Sequence, residues 1–200
     1  MNPENAGGSE SSGSPAEDRA SSFRILESEK VFDGYRIQLV RDKVEGPDGT
    51  VFEREVVRHP GAVAVVAVDD QGRVVLVRQF RTPARRALLE IPAGTRDVDG
   101  EPPERTALRE LAEEAGIEAR TIHELGRFWN SPGFCDEETI LYLATDLEKT
   151  APERDGPEEN EIEVYQIALA DAEDRLRADG AVDMQTMVGV LLARRFLTGE

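Results

Sequence analysis

The sequence predicts an α+β sandwich preceded by an antiparallel strand meander. Apolar runs of strand character precede, interrupt and follow one amphipathic helix, and a second helical region closes the chain. No segment repeats at a fixed period, so a solenoid or propeller is excluded. Two hundred residues with 39% hydrophobic content suit one domain with a real core and a polar portion left over.

That polar portion is the beginning. "MNPENAGGSESSGSPAEDRAS", residues 1–21, is rich in Ser, Gly, Pro and Glu and is expected to be a disordered tail. It lacks the basic start and apolar run of a secretory signal. Residues 22–58 read as the meander: "YRIQLVRDKVEGPDGTVFEREVV" holds two extended runs joined by the hairpin signal Gly46-Pro47-Asp48-Gly49. The main domain is expected over 59–200. Residues 62–68 are a near-continuous apolar run, and Asp69-Asp70-Gln71-Gly72 turns the chain into a strand over 74–80. "ALLEIPAG" reads as one further short strand ending at Gly94. Pro102-Pro103 suit the first turn of the central helix, where no backbone donor is needed, and Gly116 suits its end. Strands are expected over 122–128, 139–145 and 162–168, then helices over 170–177 and 181–197. The last helix is expected to carry Met184, Met187, Val188, Leu191 and Leu192 on one face.

Charge narrows the function. With 41 acidic against 24 basic residues the net charge is −17, which repels nucleic acid and anionic membranes. No basic patch with interleaved aromatics is visible, and no apolar run approaches the ~20 residues of a membrane helix. The single cysteine, Cys135, rules out an internal disulfide, fits a reducing compartment and is expected to be a packing residue. Cytoplasm is the expected location.

The central helix raises a question of charge. In "RTALRELAEEAG", residues 105–116, Leu108, Leu111, Ala112 and Ala115 share one face at helical spacing, and Glu110, Glu113 and Glu114 stack on the other. Like charges at i,i+4, such as Glu110 and Glu114, cost a helix roughly 0.2–0.5 kcal/mol per pair. On spacing alone a solvated acidic face is the plain reading. The setting changes it. "GTRDVDGEPPERTALRELAEEAGI", residues 94–117, resembles the Nudix box: Gly, five residues, Glu, seven residues, then Arg-Glu-apolar-x-Glu-Glu-x-Gly-apolar. Gly94, Glu101, Arg109, Glu110, Leu111, Glu113, Glu114, Gly116 and Ile117 match; six residues rather than five separate Gly94 from Glu101.

The resemblance implies a Nudix-type α/β/α sandwich and hydrolysis of a diphosphate linkage at Mg2+, with Mn2+ as the alternative. Carboxylates on one rigid helix face suit such a hard cation, which would relieve their repulsion. It implies metal ligation by Glu110, Glu113, Glu114 and the backbone carbonyl of Ala93, with Glu161 as a further ligand, and an internal ion pair between Arg109 and Glu101. Glu114 is also implied in catalysis.

Other stretches resemble the ADP-ribose pyrophosphatase branch from about residue 23 to 197. "NSPGFCDE", residues 130–137, resembles that branch's loop and implies substrate contacts from Ser131, Pro132 and Gly133. "VRQFRTP" implies a phosphate contact from Arg81, and "FEREVVRHPGAVAVVAV" a nucleotide contact from Arg54; ordinary surface charge is the plain alternative for Arg78 and Arg81. The water-activating base of the branch falls in "RDGPEENEIEVYQI", where Glu159 and then Glu158 match best. The branch also implies a homodimer whose N-terminal strands cross between subunits, so that Arg54 would reach the partner's site. The substrate implied is ADP-ribose or a related ADP-sugar. Pyrophosphatase action on other nucleoside diphosphate derivatives is the alternative enzyme, and a non-catalytic ADP-ribose sensor is the alternative outside enzymes.

Overall fold

The computed structural model describes residues 22–152, 159–180 and 182–199. The expected tail over 1–21 and the candidate base Glu158 lie outside the described residues.

Strands β1 (Arg24–Asp33), β2 (Gln38–Glu45) and β3 (Val51–Arg58) form a separate antiparallel sheet in that order, the meander expected. Its hairpin closes through the Gly46 N–H, which donates to the Thr50 carbonyl at 2.8 Å; Gly49 takes a positive φ of 80° that a side chain would resist.

Two further sheets make the main domain. One joins β10 (Glu163–Ala168), β5 (Arg73–Arg81) and β6 (Arg86–Glu90), antiparallel throughout. The other runs β7 (Ala93–Thr95), β4 (Ala62–Ala67), β9 (Glu138–Lys149), β8 (Ile117–Trp129), with β4 and β9 parallel. Helix α1 (Pro103–Ala115) covers one face, and α2 (Ala172–Ala178) with α3 (Met184–Thr198) covers the other. The period-2 pleat explains why β4 is apolar without a break. Val63, Val65 and Ala67 pack toward α1 with Leu111 and Ala115, and Ala64 and Val66 pack toward α3 with Val190 and Ala193. This is the sandwich the sequence predicts.

Several boundaries and one face differ from expectation. "ALLEIPAG" is two strands, because Pro92 cannot donate to a ladder; the chain leaves β5 at Glu90 and rejoins β4 at Ala93, with the Pro92 carbonyl accepting the Val65 N–H at 2.8 Å. Strands β8 and β9 run longer than their apolar centres, since charged ends still pair, as in the Arg120–Glu148 ion pair. The first of the closing helices starts at Ala172, after a 3-10 turn at Leu169–Asp171. Helix α3 begins at Met184, capped by Asp183, whose Oδ1 accepts the Thr186 N–H at 2.8 Å. Its buried side is Thr186, Gly189, Val190 and Ala193; Met184 and Leu191 are exposed, and Met187, Val188 and Leu192 are half-buried. Small residues win that face because the helix comes close: a Cβ on Gly189 would lie 3.0 Å from Val66 Cγ2.

Candidate active site

Helix α1 starts on Pro103 with no side-chain cap and ends at Gly116, whose φ of 64° and N–H to the Ala112 carbonyl make a left-handed stop. Its buried residues are Thr106, Ala107, Leu111, Glu114 and Ala115. The face expected to be wet is therefore turned partly inward, and Leu108 and Ala112 are only half-buried. Glu114 is the reason. Its Oε2 accepts the Ala93 N–H at 3.0 Å, which ties the helix to the start of β7.

Glu110 lies against the next residue of that strand. A Cβ at Gly94 would fall on the Glu110 carboxylate, so any side chain there would displace it. Burial pushes the Glu110 carboxyl up to about 7, against the pull of Arg109. Arg109 Nη1 donates to Glu110 and Glu113 at 2.9 Å each, and Nη2 reaches Glu101 at 3.3 Å, the ion pair implied by the sequence. Burial opposes the guanidinium charge, yet these carboxylates hold it firmly protonated. Glu101 is held below its ordinary value by Arg109, against its own slight burial.

The donor set fits a hard divalent cation: three carboxylates within two turns of one helix, one of them seated in the space left by Gly94. Among the described residues no group of three or more acidic, His or Cys side chains is gathered closely enough to hold an ion. Glu110 and Glu113 are turned to Arg109, and Glu114 to Ala93. Glu161 is exposed in the 3-10 turn Glu159–Glu161 before β10; of Glu159 only the backbone of that turn is described.

The predicted substrate contacts divide between two clefts that share the 130–137 loop. One, of about 500 Å³, is lined by Arg54, Trp129, Pro132, Gly133, Phe134 and Asp136 among others. The loop is fastened to β3: the Val57 N–H donates to the Phe134 carbonyl at 2.7 Å, and Arg58 bridges Asp42 and Asp136 at 2.8 and 3.0 Å. Arg54 stacks over the Phe52 ring, 4.4 Å from its centroid. Cys135 lines this cleft, half-buried, beside Val57.

The second cleft, about 490 Å³, holds Arg81, Glu90, Asn130, Ser131, Asp183 and Gln185. Arg81 is paired with Glu90, through Nη2 at 2.5 Å and Nε at 3.0 Å, and Gln79 Nε2 approaches the same carboxylate at 3.4 Å. Burial works against the Arg81 charge, but Glu90 overrides it, helped by Glu114 and Asp183. Glu90 stands three residues before Ala93, whose N–H holds Glu114, so the chain itself links the second cleft to the α1 carboxylates. Arg78, by contrast, is bound to Asp179 at 2.5 Å, which is a structural role.

A family comparison decides the identity: the NUDIX domain model matches residues 58–196. The chain belongs to the Nudix family. It is 40% identical over 167 residues to the ADP-ribose pyrophosphatase of Bacillus subtilis (strain 168), covering 84% of this chain and 90% of that one. It is 40% identical to the Mycobacterium tuberculosis ADP-ribose pyrophosphatase, covering 88% and 86%, and 38% identical to the methanol dehydrogenase activator of Bacillus methanolicus, covering 84% and 90%. A crystal structure of an ADP compounds hydrolase shares the fold, with a TM-score of 0.77 at 24% identity over 89% of this chain and 95% of that one. This Nudix hydrolase therefore keeps the family's architecture around a box that departs from the pattern only by one extra residue between Gly94 and Glu101. No helix among the described residues is long and apolar enough to cross a membrane.

Sequence reading missed Glu90, Asn130, Asp183 and Gln185. For Glu90 there was a signal, a carboxylate inside the apolar run "ALLEIP"; for the others, only folding brings the β8 end and the α3 start together.

Proposed function

We propose that this Nudix hydrolase cleaves the pyrophosphate bond of ADP-ribose, or a related ADP-sugar, into AMP and a sugar phosphate, ribose 5-phosphate for ADP-ribose. The observation that carries the reading is Arg81 in an open cleft with Ser131 and Asn130, held by Glu90 three residues before Ala93, whose N–H holds Glu114. The names of the Bacillus subtilis and Mycobacterium tuberculosis relatives support the same substrate.

Glu110, Glu113, Glu114 and the Ala93 carbonyl would hold Mg2+ (or Mn2+), with Glu161 as a further ligand. When bound, the metal supplies neutralisation of the diphosphate and a bound water of lowered pKa. Arg81 takes a phosphate oxygen in the cleft it lines. Arg54 and its Phe52 platform hold the nucleotide, and Ser131, Pro132 and Gly133 wall the site. Glu159 or Glu158 accepts the proton of the attacking water. Gly94 keeps Glu110 seated while these groups act.

The meander supports a homodimer. All of β1 is exposed, including Ile25 and Phe32 at 60% and 58%, and an apolar set of this kind calls for cover. A second copy supplies it, which carries the expected strand exchange. Sedimentation of the full chain should give a dimer, and Ile25→Glu should give a monomer.

The direct test incubates the purified protein with ADP-ribose, with and without Mg2+, and separates the products by chromatography. Metal-dependent AMP is expected. Tight ADP-ribose binding without AMP would overturn the reading in favour of a sensor, and faster AMP release from ADP-glucose would move the substrate to another ADP-sugar.

A further inference from the structure

We infer that Thr186 is a positioning residue for cleavage, acting through the backbone of Ile91. The inference rests on the reading above that the chain cleaves ADP-ribose at a divalent metal. Between β6 and β7 the chain crosses from one sheet to the other in two residues, Ile91 and Pro92. Just before the crossing stands Glu90, which holds Arg81; just after it stands Ala93, whose N–H holds Glu114. The crossing thus sets the spacing between the arginine cleft and the carboxylate helix.

Two hydrogen bonds anchor the crossing. The Pro92 carbonyl accepts the Val65 N–H at 2.8 Å from within the sheet. The Ile91 N–H, just past the end of β6, donates to Thr186 Oγ1 at 3.0 Å. Both Ile91 and Thr186 are wholly buried, so no water can replace the hydroxyl. Thr186 is itself fixed on two sides. Its N–H is capped by Asp183 at 2.8 Å, and one turn later Gly189 lets the helix close on the crossing, where a Cβ would lie 3.1 Å from Ile91 Cδ1. A side chain this deep touches no substrate, and its effect passes through Glu90 and Ala93. A displacement of the crossing separates groups that must meet across the same diphosphate.

The test compares Thr186→Val, which keeps the shape and removes the acceptor, with Thr186→Ser, which keeps the acceptor. Three readouts are taken: kcat and KM on ADP-ribose, Mn2+ affinity by electron paramagnetic resonance of the unbound ion, and thermal unfolding. The expected result is a kcat about tenfold lower in Thr186→Val with KM within about twofold, a Mn2+ affinity several-fold weaker, and recovery of both in Thr186→Ser. If Thr186→Val does not fold, Thr186→Ala against Thr186→Ser makes the same comparison. Equal defects in the hydroxyl and non-hydroxyl variants, or wild-type kcat and Mn2+ affinity in Thr186→Val, would overturn the inference. If the wild-type protein does not cleave ADP-ribose, the functional reading fails, and the Mn2+ titration still decides the role of Thr186.

Discussion

The Arg81–Glu90 pair gives a quantitative test of the site. Glu90 is 1% exposed and Arg81's side chain is 39% exposed, so the carboxylate is dry and the guanidinium half wet. Arg81→Met leaves a buried carboxylate with only the long approach of Gln79 Nε2, at 3.4 Å, to offset its charge. Stripping one partner from a buried pair costs roughly 3–5 kcal/mol, and the wet side of Arg81 puts this case at the low end, about 3 kcal/mol. For a chain of this size that lowers Tm by about 6–12 °C. Arg81→Met with Glu90→Gln removes the stranded charge and should recover all but about 1 kcal/mol. The assay is urea and thermal unfolding of the wild type, both single variants and the double variant, read as a cycle. If Arg81→Met costs less than about 1 kcal/mol, or the double variant is as unstable as that single one, the claim that Arg81 neutralises a dry carboxylate is wrong.

Three further outcomes follow from the same geometry. Glu114→Gln keeps an oxygen for the Ala93 N–H, so circular dichroism should be unchanged, while metal-dependent AMP release falls about 100-fold or more; near-normal turnover would remove the helix from the metal site. Leu111→Asp places a charge among Val63, Val65 and Ile140 and should cost more than about 4 kcal/mol, seen as loss of a cooperative unfolding transition. Asp179 is held below its ordinary value by Arg78, so its contribution is complete above about pH 4 and is lost as pH falls through its depressed folded value. Arg78→Met should flatten that part of the acid limb in urea titrations from pH 2.5 to 5, and parallel acid limbs would dismiss the pair.

The fold was largely readable because its signals are local. Residues 62–68 announce a strand buried on both faces, Gly46 to Gly49 announce a hairpin, and Pro103 with Gly116 bracket a helix. What failed is set by packing between distant segments. Nothing in "MQTMVGVLLARRF" says that Thr186 and Gly189 face inward, because that face is chosen by how closely Val66 and Ile91 approach. The larger apolar residues Met184 and Leu191 lose the contest to smaller ones, since the gap admits only a small side chain. Hydrophobic periodicity ranks faces by greasiness, whereas a close helix–sheet crossing ranks them by size.

The site divides along the same line. The box glutamates were readable as a set, yet the expectation of three outward carboxylates failed for Glu114, because the Ala93 N–H at the start of β7 needs an acceptor and the helix supplies it. The position of a carboxylate on a helical wheel fixes its direction only to within the demands of its neighbours. Gly94 shows the converse. As a letter in a motif it carries no reason, and the structure supplies one: a Cβ there would occupy the space of the Glu110 carboxylate. Glycine before the helix and glutamate within it are therefore one device. A chain with either residue changed would keep its fold and lose the seat on which Glu110 is held, which is why Gly94→Ala should lower metal affinity far more than it lowers Tm, by a factor that a Mn2+ titration beside a melting curve can separate.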